Sequence, residues 1–73
     1  MEPVEVVARF DPEGFAKPLK FTWQDRTYPV NSVGRHWRDE DGAHVLLVAS
    51  DDVYELLFKP ADGRWYSSVY FFL

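Results

Sequence analysis

The sequence predicts an all-β chain: a small antiparallel barrel or roll of five to six strands, of SH3-like type. Three observations point there. Short runs of β-branched and aromatic residues recur along the chain, each closed by a cluster of Asp, Gly, Pro or Ser. The last stretch, Val53 to Leu73, reads as a hairpin, with two β-forming runs flanking Pro60-Ala61-Asp62-Gly63. Proline opens that turn and glycine closes it, where a positive φ is often needed. Finally, the chain has 73 residues, no cysteine and 18% aromatic residues. One domain over residues 1–73 is all this length supports, and neither a disulfide nor a thiolate metal site can brace it. Packing of large aromatic side chains, or a partner subunit, must hold it.

The elements follow in order. Val4 to Phe10 reads as a strand with Val4, Val6, Ala8 and Phe10 on one face and Glu5, Val7 and Arg9 on the other. Asp11-Pro12-Glu13-Gly14 turns the chain, and Phe15 and Ala16 tuck this loop against the body. Leu19 to Trp23 is the next strand, with Leu19, Phe21 and Trp23 inward. After the polar turn Gln24-Asp25-Arg26 a strand starts at Thr27, and Pro29 must leave one ladder position unpaired, which favours an edge or a bulge. Val30 to Arg38 reads as a bent strand with a bulge near Asn31 or Ser32; the alternative is one helical turn over 31–37, for which Gly34 is unfavourable. Asp39-Glu40-Asp41-Gly42 leads into Ala43 to Ala49, apolar on both faces as in a central strand covered on both sides. Ser50-Asp51-Asp52 returns the chain to the hairpin. Setting Lys59 across from Arg64 pairs Phe58 with Trp65, Leu56 with Ser67 and Tyr54 with Val69.

The charge, −4 overall, argues against a general nucleic-acid coat. It is uneven: residues 1–38 carry six basic and five acidic side chains, residues 39–73 two and seven. The front half is therefore free to carry a local basic patch. Neither a signal-peptide pattern nor a membrane-length apolar run is present, so a soluble cytoplasmic protein with no membrane contact is the expectation.

Chemistry-bearing motifs are few. His36 and His44 flank an acidic turn and with Asp39 or Asp41 have ligand types for a cation, but the spacing matches no metal motif, so no metal is expected. Glycine-rich phosphate loops, GxSxG and HExxH are absent, and Ser67-Ser68 read as small residues between aromatics; neither a cofactor nor an enzyme is expected. Trp23, Arg26, Tyr28, Arg35, Trp37 and Arg38 combine aromatic faces with guanidinium groups, the ingredients of a single-strand nucleic-acid platform. Within that set Tyr28, Arg35, Trp37 and Arg38 are the candidate binding residues, although Trp23 and Trp37 are equally the residues such a domain needs in its core. A strand over 33–38 would send Arg35 and Arg38 to opposite faces; a helical turn would make them neighbours. From Trp65 onward no side chain is charged, and Tyr70, Phe71, Phe72 and Leu73 are candidates for self-association, unless that strand is interior to the sheet.

Two blocks carry a resemblance. Phe21 to Val30 (FTWQDRTYPV), continuing to Val33 and Trp37-Arg38, and Val53-Tyr54-Glu55-Leu56 followed by Gly63-Arg64-Trp65-Tyr66 resemble a small uncharacterised bacterial β-domain. That domain occurs alone and appended to Y-family DNA polymerase-like proteins of mutagenic repair. The chain departs from the pattern at Asp51-Asp52, where glycine is usual, and in its apolar tail. The resemblance implies an accessory role near DNA repair and brings no catalytic residues with it. The expected function is a non-catalytic module for a protein partner or for self-association as a homodimer, with single-stranded nucleic-acid binding as the alternative.

Overall fold

The computed structural model describes residues 1–70 of the chain. Every regular element among them is a strand: β1 (Glu2–Phe10), β2 (Ala16–Trp23), β3 (Arg26–Pro29), β4 (Ser32–Asp39), β5 (Gly42–Ala49), β6 (Asp52–Lys59) and β7 (Arg64–Val69). All pairings are antiparallel, in one curled sheet of order β3-β2-β1-β7-β6-β5-β4. The fold is thus the expected small all-β barrel-like form, with seven strands rather than five or six. The additional strand arises at Val30-Asn31. Val30 N–H donates to Leu19 O on β2 at 3.0 Å, whereas Asn31 N–H donates to Val48 O on β5 at 2.8 Å. Successive residues therefore bond to opposite ends of the sheet, and what reads as one bent strand is two. This step joins the two edges covalently and curls the sheet around its core.

The hairpin has the register its turn dictates: Lys59 pairs with Arg64, Phe58 with Trp65, Leu56 with Ser67 and Tyr54 with Val69. Its inward face meets β5, where Val45 pairs with Leu56 and Leu47 with Tyr54. Phe21, Val45, Leu47, Ala49, Tyr54 and Leu56 form the buried core. Tyr54 is its hub, with ring centroids 5.1 Å from Phe21, 5.6 Å from Tyr28 and 5.8 Å from Trp23. At the other end of the core, Trp23 Nε1–H donates to Glu2 Oε2 at 2.6 Å, fastening the start of β1 over the β2–β3 turn.

Two local expectations are corrected. Leu19 does not point inward: the β1–β2 register shifts between Val7 and Ala8, Leu19 is the extra residue, and Pro18 is buried in its place. A proline has no N–H for the ladder, so the bulge falls beside it. The second bulge lies between Val33 and His36, at Gly34-Arg35 rather than at Asn31 or Ser32. Residues 31–37 contain no helical turn; Ser32–Asp39 is a separate strand, irregular at its own bulge.

Candidate functional site: a cleft where the first strand leaves the last

β1 has two partners, on opposite sides and over different lengths. Glu2, Pro3 and Val4 pair with β7, whereas Glu5 to Phe10 pair with β2. Beyond Val4 the β7-facing side of β1 has no partner strand among the described residues. β7 itself begins at Arg64, so its ladder with β1 ends where the hairpin turns, and at this end of the barrel Phe10, Ala16, Arg38, Asp39, Ala43, Phe58 and Pro60 border a cleft of about 260 Å³. Phe10 is 59% exposed, although it lies on the same face as the half-buried Val4, Val6 and Ala8. It is the last residue before the Asp11-Pro12 turn, so no further strand residue covers it. Its ring meets Phe58 edge-on at 6.0 Å, and Phe58 in turn meets Trp65 at 5.1 Å.

Arg38 supplies the positive charge at the rim. Its Nη2 donates to Gly14 O at 2.7 Å, and its guanidinium lies 4.4 Å from the Phe15 ring centroid. These contacts anchor the side chain between the β1–β2 turn and β4 while leaving further N–H donors for a ligand. The opposite rim is the β4–β5 turn, where Asp39 Oδ1 accepts from Asp41 N–H at 2.9 Å and from Gly42 N–H at 3.3 Å.

The four candidate binding residues do not converge. Tyr28 is half-buried in the core, stacked on Phe21 at 5.1 Å. Arg35 and Trp37 lie together on the outer face, the guanidinium 5.2 Å from the indole centroid. Arg38, the next residue along β4, points to the other side and into the cleft. Trp37 is not in the core; its ring lies parallel to His44 at 4.9 Å and 3° on the face away from Val45. Of the tail residues, Tyr70 N–H donates to Val53 O at 2.8 Å, and Phe71, Phe72 and Leu73 lie outside the described residues. β7 is interior, flanked by β1 and β6.

The two histidines are separated as well. His36 packs on Phe15 at 4.5 Å, whereas His44 is 8% exposed between two carboxylates. Its Nδ1 is 2.8 Å from Glu55 Oε2. Nε2 lies 2.9 Å from Asp39 Oδ2, an ion-pair approach off the line of a hydrogen bond. Burial pulls the His44 pKa down and is its largest single influence, but the hydrogen bond to Glu55 and the close carboxylates of Asp39 and Glu55 together raise it above the usual 6.5. The His44 contact holds the Asp39 carboxyl below its usual 3.8, assisted by the Asp41 and Gly42 amides and opposed by desolvation. No metal-binding group of three ligands occurs among the described residues.

Phe10 and Phe58 are the site residues that sequence reading did not single out. The available signal was position: each lies within the last two residues of a strand, just ahead of a proline-containing turn, at the barrel end where cover runs out. No family model matches the chain, and no curated protein and no solved structure matches it either.

Proposed function

We propose that this chain is a non-catalytic β-domain that docks an apolar side chain of a partner protein in the Phe10–Phe58 cleft. The observation that carries the reading is the 59%-exposed Phe10 facing Phe58 across a largely apolar cleft whose rim holds the Arg38 guanidinium and the Asp39 carboxylate. Most of the chain's other large aromatic rings are at least half-buried, so leaving this one open has a cost unless something covers it. A small, largely apolar cleft with few polar groups at its rim is suited to an anchor residue rather than to a whole substrate. Support for a non-catalytic role comes from His44, which is buried with both ring nitrogens turned to carboxylates. A platform for single-stranded nucleic acid draws less support, because only Arg35 and Trp37 of its four residues come together.

N-acetylphenylalanine amide is the probe, followed by amide chemical shifts. Perturbations centred on Phe10, Ala43 and Phe58, weakened at least fivefold in a Phe10→Ser variant of unchanged melting temperature, are the expected result. Shifts confined to Arg35 and Trp37 on adding oligothymidylate, with none from the phenylalanine probe, would transfer the proposal to nucleic acid and to the repair role the resemblance implies. Light scattering over a concentration series separates a second copy of the chain from a different protein as the partner.

A further inference from the structure

The outer face of β1 and β2 gathers three cations against one carboxylate. Arg9 pairs directly with Lys17, and Lys20 pairs with Val7 two residues along β1. Residues two apart on a strand share a face, so all three cations are on one side. Like charges directly opposite each other across two strands destabilise the pair. Glu5, the carboxylate on this face, is opposite Thr22 and only diagonal to Lys20. None of the three cations makes an ion pair or a side-chain hydrogen bond among the described residues.

Exposed apolar surface accompanies them. Val7 is 50% exposed, Leu19 40% and Phe10 59%, three of the five exposed large hydrophobic residues among those described. The bulge that buries Pro18 is what turns Leu19 outward. Along the same strand runs the open side of β1 from Glu5 to Phe10. Unpaired edge, exposed apolar groups and uncompensated cations thus coincide on β1 and its neighbour β2.

Resting on the cleft reading above, we infer that the partner is an extended segment alternating apolar and acidic residues, added as a strand to the open side of β1. Alternation follows from strand geometry. A strand added beside β1 sends every second side chain inward, to the cleft of Phe10 and Phe58, and the others outward, beside Arg9 and on the face that Lys17 shares across β1. Main-chain hydrogen bonds supply affinity, and the two faces supply selection for apolar and for acidic groups. An acidic protein segment is favoured over nucleic acid because the face is aliphatic, with no ring among Val7, Arg9, Lys17, Leu19 and Lys20 on which a base could stack.

The test is binding of labelled hexapeptides alternating phenylalanine with glutamate or with glutamine, measured by fluorescence anisotropy. The glutamate peptide should bind at least tenfold more tightly at low salt, and the advantage should shrink as salt rises. Arg9→Gln with Lys17→Gln should abolish the advantage and leave the glutamine peptide's affinity unchanged, without lowering the melting temperature. Hydrogen exchange of β1 amides between Glu5 and Phe10 should slow on binding, and methylating alternate peptide nitrogens should abolish it. Equal affinity for the two peptides would overturn the acidic-partner inference while leaving the cleft reading intact. Glutamate-peptide binding that survives Phe10→Ser but not the Arg9/Lys17 change would sink the cleft reading instead. Failure of both peptides, or tighter binding of oligothymidylate than of either, would overturn the inference.

Discussion

The β5–β6–β7 ladder and the β1–β2 pair are built from similar residues and behave differently. From Ala43–Phe58 to Ala49–Asp52, β5 and β6 pair without a break, and β6 and β7 pair from Tyr54–Val69 to Lys59–Arg64. β1 and β2 shift register midway, and β1 keeps β7 for three residues only. A continuous ladder turns every second side chain to the same neighbour, so one face becomes core. Interruption does the opposite: it turns Leu19 outward, leaves part of a strand edge open and creates the cleft beside Phe10. Stability resides in the first region and the capacity to bind in the second.

Truncation of one residue from each region should show the largest difference. Leu56 is wholly buried, and Leu56→Ala should cost about 2–5 kcal/mol in urea unfolding. Phe10→Ala removes a larger side chain but one already mostly in water, and should cost about 1 kcal/mol or less. Equal losses at the two positions would make Phe10 a core residue and remove the basis for the docking cleft.

The same contrast explains what could be read from the sequence. In the hairpin, hydrophobic alternation and a turn with proline and glycine agree, so the register from Lys59–Arg64 to Tyr54–Val69 follows from the residues alone. Pro18 and Pro29 each remove a ladder donor, but a sequence does not say whether the strand bulges, ends or changes partner there. Both the inversion of Pro18 and Leu19 and the split at Val30-Asn31 are decided by long-range partners, Ala8 on β1 and Val48 on β5. The site was hidden for a related reason. Phe10 has the periodicity of a core residue, and only its place at the open end of the barrel, set by pairing at a distance, exposes it. His44 reads as an apolar-strand interruption, and its carboxylate partners become visible only once β4, β5 and β6 are side by side.

A smaller effect is expected where the two regions meet. Gly42 borders the cleft and also begins β5, with φ of 145°; a Cβ there would lie 2.1 Å from Phe58 O. That obstacle is backbone and cannot rotate away. Gly42→Ala should cost about 1–3 kcal/mol and distort the cleft rim, seen as coupled loss in urea unfolding and in phenylalanine-probe affinity. At Gly63 φ is 69° and an added Cβ would have nothing within 4 Å, so Gly63→Ala bears backbone strain alone and should leave the probe's affinity unchanged. Loss of affinity at both glycines would mean that the cleft depends on global stability and not on its own rim.

The smallest effect, and the one that ties rim to ladder, is the response to pH. His44 belongs to the continuous ladder, and Asp39 belongs to the cleft rim. Because the folded pKa of His44 is raised, its contribution is complete below about 6.5, the unfolded value, and is lost as pH rises through the folded one. Asp39 is lowered, so its contribution is complete above about 3.8 and is lost as pH falls through its folded value. Their joint stabilisation is therefore greatest between those limits, and the melting temperature should fall by a few degrees as pH rises from 6 to 9. His44→Gln should flatten that alkaline limb, and Asp39→Asn should reduce it while also removing its acid counterpart. Nitrogen chemical shifts of the His44 ring should titrate above the ordinary imidazole range. A ring titrating below 6.5, with an alkaline limb unchanged in His44→Gln, would show that burial outweighs the two carboxylates, and His44 would then sit in the ladder as a neutral side chain with no hold on the rim.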